Sequence, residues 1–201
     1  GLYYIKSKIL MYFDKYGEVL NLLDEMLDMF PENEKDIKMK KASVLKGMRD
    51  LKGGFEIVDG LTKKYPEDND LLNYKAFWYQ YLNKKEEAVK VIQNLIEREP
   101  NNGIYHDSYG EILMAFNDYE LAIDEFQKAL ELDPNSWYDY QTYIKLGICY
   151  REQENYDLAL EHLTKGEELI DKSASDNDTK QMWHSYATPF IEEIKALIED
   201  F

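Results

Sequence analysis

The three histidines, His106, His162 and His184, are the residues of this chain whose chemistry best suits metal binding or proton transfer at neutral pH. They lie far apart in the sequence, and no Cys or other His stands near them at the spacing of a metal-ligand set. Aspartates and glutamates are abundant, but their spacing places most of them on helix faces that water covers. No nucleophile, base and orienting group come together. We therefore predict no metal site, no cofactor and no enzymatic activity.

Three shorter motifs also favour structural roles. Asp176-Asn177-Asp178 is too short for a calcium-binding loop, which needs a frame of about 12 residues closed by Glu. Gly53-Gly54 lacks the preceding strand and the Lys-Ser/Thr pair of a phosphate-binding loop. Cys149 is the only cysteine, so an internal disulfide is excluded, and its apolar neighbours favour a packing role.

The chain is strongly acidic, and its charge is unevenly distributed. Of the net charge of −16, residues 1–100 contribute −1, from 17 Lys/Arg and 18 Asp/Glu, and residues 101–201 contribute −15, from 7 and 22. A nucleic-acid partner requires Lys and Arg to displace the counterions of its phosphates, so we predict no nucleic-acid binding. No apolar run reaches the about 18 residues of a membrane span, so we predict no membrane partner.

Four prolines recur with a nearly constant period. Pro31, Pro66, Pro100 and Pro134 are spaced by 35, 34 and 34 residues, and each follows an apolar-periodic stretch. Proline cannot continue a helix, and the Asn or Asp nearby favours a turn. Two series of small residues share this period, gain three extra residues near Trp137–Asp139, and indicate close contacts between helices: Ala42, Ala76, Gly110 and Gly147; and Gly54, Ala88, Ala122 and Ala159.

The motif Tyr143-x2-Leu146-Gly147-x2-Tyr150, followed by Ala159-x3-Leu163, resembles the 34-residue pattern of the tetratricopeptide repeat (TPR) family. The preceding repeat departs from the pattern at its first aromatic position, which is His106. The resemblance implies an all-α fold: a right-handed α-solenoid of five TPR helix-turn-helix repeats plus a C-terminal capping helix, in which Trp183-x2-Tyr186-Ala187-x2-Phe190 imitates a first helix once more. The implied boundaries are about 1–33, 34–67, 68–102, 103–136 and 140–173 for the repeats, and 174–201 for a polar loop and the capping helix.

The first helices of TPR repeats line a concave groove in which peptides dock, so the resemblance also implies a binding site. On this face apolar anchors alternate with amide groups that can bind a peptide backbone, and Asp107 and Glu111 would favour a basic residue in the partner. Phe77, Ile144 and Ile148 have an alternative role, which is to pack against neighbouring helices. The implied peptide-binding residues are Met39, Ser43, Lys46, Asn73, Phe77, Gln80, Asp107, Glu111, Met114, Ile144, Ile148 and Arg151.

The resemblance implies a protein–protein interaction scaffold that binds a peptide segment of a partner protein in this groove. An alternative stays open, in which the chain is the sensory or regulatory portion of a larger protein with an upstream effector domain. Self-association through the terminal repeat is a third reading. Chaperone-binding TPR domains grip a carboxylate with a Lys and Asn set, and four of the five corresponding positions do not match: Asn73, Phe77, Ser108, Gln141 and Lys145. A chaperone-tail adaptor is therefore not expected.

The start of the chain bears on its location. No charged-then-apolar leader is visible, so we expect a cytoplasmic protein. Gly1 stands directly before an apolar, helix-like stretch, and a removed leader or an upstream domain stays open for that reason.

Overall fold

The structure, a computed structural model, describes residues 14–199 together with Lys6 and Leu10. Every regular element in these residues is helical, which confirms the predicted all-α fold class. Most of the predicted first helix of the first repeat lies outside the described residues. The described helices are α1 (Tyr16–Met29), α2 (Glu34–Gly47), α3 (Leu51–Lys64), α4 (Asn69–Tyr81), α5 (Lys85–Arg98), α6 (Gly103–Ala115), α7 (Tyr119–Leu132), α8 (Asp139–Glu152), α9 (Tyr156–Lys172) and α10 (Asn177–Glu199), with a short 3-10 turn at Pro31–Asn33.

The periodic prolines mark helix ends, as predicted. Helices α1, α3, α5 and α7 each end two residues before a proline of the series. The following helices begin with side-chain caps: Asp68 accepts a hydrogen bond from the backbone N–H of Leu71 at 3.0 Å, and Asn102 accepts one from the N–H of Ile104 at 3.1 Å. Proline and the capping residues therefore set these boundaries through local backbone chemistry.

A second type of turn repeats with the same period. Two residues before α1, α3, α5, α7 and α9, the backbone adopts a positive φ, at Asp14, Arg49, Asn83, Asn117 and Glu154. Their spacing of 35, 34, 34 and 37 residues follows the prolines and contains the same three-residue insertion. Asparagine tolerates this left-handed conformation, whereas Arg49 and Glu154 are strained in it because their Cβ atoms crowd the following carbonyl.

The chain forms two compact units, residues 1–91 and residues 92–201, and the boundary falls inside α5. In the first unit α1 and α2 bury a cluster that includes Val19, Leu23 and Ile37. Helices α2, α3 and α4 then converge on Trp78, whose ring is fully buried against Ala42 and Val58.

The second unit has a larger core, built from two clusters. Helices α6, α7 and α8 meet around Phe126, with Leu113 and Leu146 beside it. Helices α8, α9 and α10 enclose the other cluster, whose fully buried members include Leu163 and Ile194. α10 thus covers apolar surface of the helices before it, as a capping helix should. Its chain continues as helix through Pro189.

All eight small residues of the two periodic series are buried, which confirms their predicted packing role. Gly54 shows why no side chain fits: a Cβ there would stand 2.1 Å from Cη2 of the buried Trp78. A Cβ on Gly147 would stand 2.7 Å from Cγ of Leu163 and 3.0 Å from the backbone oxygen of Ala159. These helices approach so closely that only glycine leaves room for the neighbour.

The three-residue insertion lies at the start of α8, where it was predicted. The loop at 133–138 is two residues longer than the loops at 65–68 and 99–102, and α8 has 14 residues where α4 and α6 have 13. The insertion leaves Trp137 75% exposed, while Tyr138 is buried and donates a hydrogen bond to Oδ2 of Asp133 at 3.3 Å.

Candidate functional site

In the first unit, the predicted binding residues lie on α2 and α4. Ser43 is exposed, and its hydroxyl lies 2.9 Å from the hydroxyl of Tyr74. Lys46 donates to the hydroxyl of Tyr81 at 3.1 Å and lies 4.2 Å from the centroid of that ring. The remaining four predicted residues of this unit are partly buried: Met39, Asn73, Phe77 and Gln80.

In the second unit, Asp107 and Glu111 on α6 hold a lysine of α8. The ammonium of Lys145 lies 2.7 Å from Oδ2 of Asp107 and 3.2 Å from Oε2 of Glu111, and Thr142 donates to Oδ1 of Asp107 at 2.6 Å. Burial disfavours the charge of Lys145, but the two carboxylates outweigh it and raise the pKa of the ammonium. Asp107 is therefore committed to the fold, whereas the side chain of Glu111 remains 39% exposed.

Two predicted anchors are wrong, because the structure buries them. Ile144 is 0% exposed and its side chain occupies the space left by Gly166 on α9. Ile148 is 7% exposed and belongs to the same core cluster, formed by α8, α9 and α10. Their alternative role, packing against neighbouring helices, is the one that the structure shows.

Arg151, another predicted binding residue, contacts α10. Its guanidinium donates to Oε1 of Glu193 at 2.6 Å, hydrogen-bonds Glu152, and lies 5.4 Å from the centroid of the Phe190 ring. Hydrogen bonding to Glu193 and Glu152 raises the pKa of this guanidinium. Arg151 therefore joins α8 to α10 through a carboxylate and an aromatic face.

A recess of about 240 Å³ opens on the side of the second unit where α6, α8 and α10 meet. Its walls are mainly apolar, although Met182 and Tyr186 remain 58% and 44% exposed. The rings of Trp183 and Tyr186 stand perpendicular, with centroids 5.7 Å apart. The residues that line this recess are Glu111, Met114, Lys145, Met182, Trp183 and Tyr186.

The recess contains two residues of the predicted set, Glu111 and Met114, and four that sequence reasoning did not include. Three of those four lie on α10, whose first-helix-like motif was noted but was interpreted only as a cap. The motif was the available signal. The capping interpretation led us to expect only an acidic outer face on this helix, while its start also presents exposed apolar side chains to solvent.

The remaining chemically versatile side chains have structural surroundings. His106 is buried, with Nδ1 2.6 Å from Oε2 of Glu125 and Nε2 3.1 Å from the carbonyl oxygen of Pro100. His162 stacks on Tyr150 at 5.2 Å between centroids, and burial lowers the pKa of its imidazole. Burial raises the pKa of the Cys149 thiol to about 12, so this thiol stays protonated and unreactive.

Two searches of the described residues complete this inventory. Within residues 14–199, no group of His, Cys, Asp and Glu side chains is arranged to hold a metal ion. In the same part of the chain, no helix combines the length and apolar character that crossing a membrane requires.

Comparison with known proteins gives partial matches among curated sequences. The proteins named "Protein SGT1 homolog" of Bos taurus and Homo sapiens are 29% and 28% identical to the chain over 82 residues. The aligned segment is 41% of this chain but only 23% and 22% of those proteins. The chain thus spans less than a quarter of the length of these curated relatives.

Solved structures match over most of the chain. MamA from Desulfovibrio magneticus RS-1 (residues 41 to the end) aligns with a TM-score of 0.57 and 21% identity, covering 87% of this chain and 96% of that one. TTC0263, titled a thermophilic TPR protein in Thermus thermophilus, aligns with a TM-score of 0.67 and 16% identity, covering 90% and 95%. At these identities the likeness concerns the fold alone.

Family matches connect the fold to a class of protein. Residues 101–172 match the tetratricopeptide repeat, and residues 74–102 match it a second time. The repeats support a general role as a protein-interaction scaffold with a protein partner, a role that is typically non-catalytic. The chain is a member of the tetratricopeptide repeat family, and its fold is that of a TPR α-solenoid.

Proposed function

We propose that the chain is a scaffold that holds a peptide segment of a partner protein, and that the recess between α6, α8 and α10 is its main contact. The observation that carries this proposal is the recess itself, where side chains of three helices present apolar surface to solvent. Glu111 and Met114 of the predicted groove lie there, so the first-helix face of this unit remains the proposed docking side.

Exposed apolar side chains are concentrated around this opening. Met182 and Tyr186 keep large fractions of their surface in water, although the core of the same unit buries comparable side chains completely. Anchors of protein interfaces are commonly aromatic residues and methionine in pockets that a partner can desolvate. Burial of these two side chains and Met114 would supply the favourable free energy of binding.

The charge of the second unit favours a partner segment rich in lysine and arginine. Residues 92–201 carry 8 Lys/Arg against 24 Asp/Glu. Asp107 no longer contributes to this proposal, because Lys145 and Thr142 bind it. Glu111 and the surrounding excess of carboxylates attract a basic segment and accelerate its association.

In the first unit, the face of α2 and α4 stays a proposed contact with Met39, Ser43, Phe77 and Gln80 as its candidate residues. The division of residues 1–173 into five repeats is likewise retained as a proposal. Neither is required by the argument from the recess, which concerns the second unit by itself.

Site-specific photo-cross-linking in cells of the source organism tests the proposal. A photoreactive phenylalanine analogue replaces Met182 at the recess in one variant and Leu121 on α7 in another. These two residues form a matched pair, because both are apolar and they are 58% and 53% exposed. We expect one partner protein, identified by mass spectrometry, to cross-link through position 182 and not through position 121.

Different cross-linking patterns would contradict the proposal in different ways. Cross-links confined to position 121 would move the docking surface to α7. Absence of cross-links at both positions, with the variants folded and expressed, would count against a peptide scaffold on either face. A small molecule attached at position 182 in place of a peptide would replace the proposed function with ligand sensing.

A further inference from the structure

We propose that the recess binds an arginine side chain of the partner segment, held between aromatic faces and the carboxylate of Glu111. This inference rests on the proposed function and specifies the residue that the site recognises. It is drawn from the recess, from an arginine contact one helical turn away on α10, and from the charges in the floor of the recess.

The arginine contact next to the recess shows the chemistry within the chain itself. Arg151 lies against the ring of Phe190 and donates to the carboxylate of Glu193. Tyr186 precedes Phe190 by one turn of α10, and their rings lie 5.7 Å apart. At Tyr186 the same two ingredients recur, an aromatic face and a carboxylate, but here they border an open recess.

The walls of the recess fit a long side chain with a flat cationic end. Trp183 and Tyr186 meet at an interplanar angle of 88°, and Met114 and Met182 add flexible thioethers beside them. Aromatic faces attract a guanidinium through their quadrupole, and methionine adapts to an aliphatic stem. The volume of about 240 Å³ falls below the about 300 Å³ at which small-molecule pockets begin, so one large side chain fills it.

The floor of the recess carries one net negative charge. Asp107 and Glu111 face a single ammonium, that of Lys145, at 2.7 and 3.2 Å. A carboxylate has about four acceptor positions, so Glu111 can accept further N–H donors while it keeps Lys145. The field at the rim agrees with this balance, since burial and then the Glu111 carboxylate raise the pKa of the Tyr186 hydroxyl.

Arginine matches this site better than an apolar residue or lysine does. An apolar anchor would take Glu111 out of water without a compensating donor, which disfavours binding. Lysine would bring a compact, strongly hydrated charge beside the ammonium of Lys145. A guanidinium is planar, stacks on Trp and Tyr, and can donate two parallel hydrogen bonds to one carboxylate.

Selection from a library of random dodecapeptides displayed on phage, with the full chain as bait, tests the inference. We expect peptides with a required arginine. For a selected peptide, replacement of that arginine by citrulline, which is nearly isosteric but neutral, should weaken binding about tenfold or more, because a charge-assisted hydrogen bond is lost. Titration by fluorescence anisotropy measures the dissociation constant.

Variants of the chain then locate the contact. Glu111→Gln should weaken binding of the arginine peptide by a similar factor, while its effect on the citrulline peptide should be small. Lys145 keeps its bond to Asp107 in this variant. Glu120→Gln is the matched control, because it removes the same charge from an exposed position on α7, and it should leave the affinity unchanged.

Each outcome separates this inference from the proposed function. Peptides that lose affinity with Met182→Ala but show no arginine requirement, or no coupling between arginine and Glu111, would overturn the inference and leave the scaffold proposal in place. Peptides indifferent to Met182→Ala would overturn the recess as a binding site, and a library that yields no peptides would overturn both. The citrulline comparison on the wild-type chain remains decisive even if Glu111→Gln fails to fold.

Discussion

The two units of the chain share one helical repeat but use charge in opposite ways. The first unit, residues 1–91, contains 16 Lys/Arg and 16 Asp/Glu, so its net charge is zero. The second unit, residues 92–201, contains 8 and 24, so it holds the entire net charge of −16. The same architecture therefore carries a self-neutralised surface in one unit and a strongly acidic one in the other.

Carboxylates in the first unit are bound by several lysines. Glu34 accepts hydrogen bonds from Lys38 at 2.7 Å and from Lys64, and these bonds lower the pKa of its carboxyl to about 2. Asp59 accepts from Lys63 at 2.6 Å and from Lys75 at 2.7 Å. Such pairs satisfy the charges of this unit within the unit.

In the second unit the ratio is reversed, and a single cation is shared by two carboxylates. Lys145 is held by Asp107 and Glu111, and Arg151 is held by Glu152 and Glu193. Carboxylates in this unit consequently outnumber the cations available to them. A basic partner segment would balance the excess, so the comparison supports placing the proposed binding surface in the second unit.

The largest expected difference concerns the buried lysine. Lys145→Met should destabilise α8 by about 3–5 kcal/mol, because Asp107 and Glu111 would remain in the protein without their cation. Lys35→Met in the first unit removes an ion pair with Asp68 whose lysine side chain is 41% exposed, and it should cost under about 1 kcal/mol. Hydrogen exchange of the α8 and α2 amides measures both effects, and equal protection losses would contradict the contrast.

The next effect concerns packing. Gly147→Ala should destabilise the second unit by about 1–3 kcal/mol, because its Cβ would press on Leu163 and on the backbone of Ala159. Gly60→Ala in α3 is the control, since nothing lies within 4 Å of its new Cβ. That substitution should stabilise the first unit by about 0.5–1 kcal/mol through helix propensity. Urea denaturation compares the two variants, and a stable Gly147→Ala protein would refute the close-contact interpretation.

Binding kinetics should also distinguish the units. The association rate constant of a basic partner peptide should fall about tenfold between 50 mM and 500 mM salt, because screening weakens its attraction to the second unit. Lysine-for-acid changes on the neutral first unit should leave this salt dependence unaltered. Stopped-flow fluorescence gives the rate constants. A rate that does not change with salt would indicate that the acidic charge serves solubility alone.

The smallest expected effects lie at the strained turns. Arg49→Asn and Glu154→Asn should each stabilise the chain by up to about 1 kcal/mol, since asparagine tolerates the positive φ of 64° and 60° at these positions. The gain should be larger at Glu154, because that change also removes one negative charge from the acidic unit. Thermal unfolding of the two variants tests the order, and a larger gain at Arg49 would contradict it.

Sequence reasoning succeeded where the cause is local or is repeated along the chain. Pro66 and Pro100 stand two residues after helix ends, because proline cannot continue a helix wherever it occurs. Gly54 and Gly147 are buried at close contacts because the same period returns each small residue to the same position in its repeat. The positive-φ turns follow that period too, although only the asparagines carried a recognisable signal.

The binding surface was predicted less well, because exposure of a helix face depends on its neighbours. Ile144 and Ile148 lie on α8 in the predicted register, yet α9 and α10 cover them. A rotation of a fraction of a turn separates a groove residue from a core residue, and helical periodicity cannot resolve that difference. Met182 and Tyr186 were overlooked for the same reason.

The amino-acid sequence by itself therefore determined the repeat, the helix boundaries, the close-packing positions and the asymmetry of charge. These features depend on backbone chemistry, on residue size and on counting. Only the tertiary structure decided that Lys145 neutralises Asp107, that Arg151 joins Glu193, and that α10 opens a recess beside Glu111. Each of these contacts joins side chains on different helices, about 30 or more residues apart, and the packing geometry selects them among many carboxylates of equal chemistry.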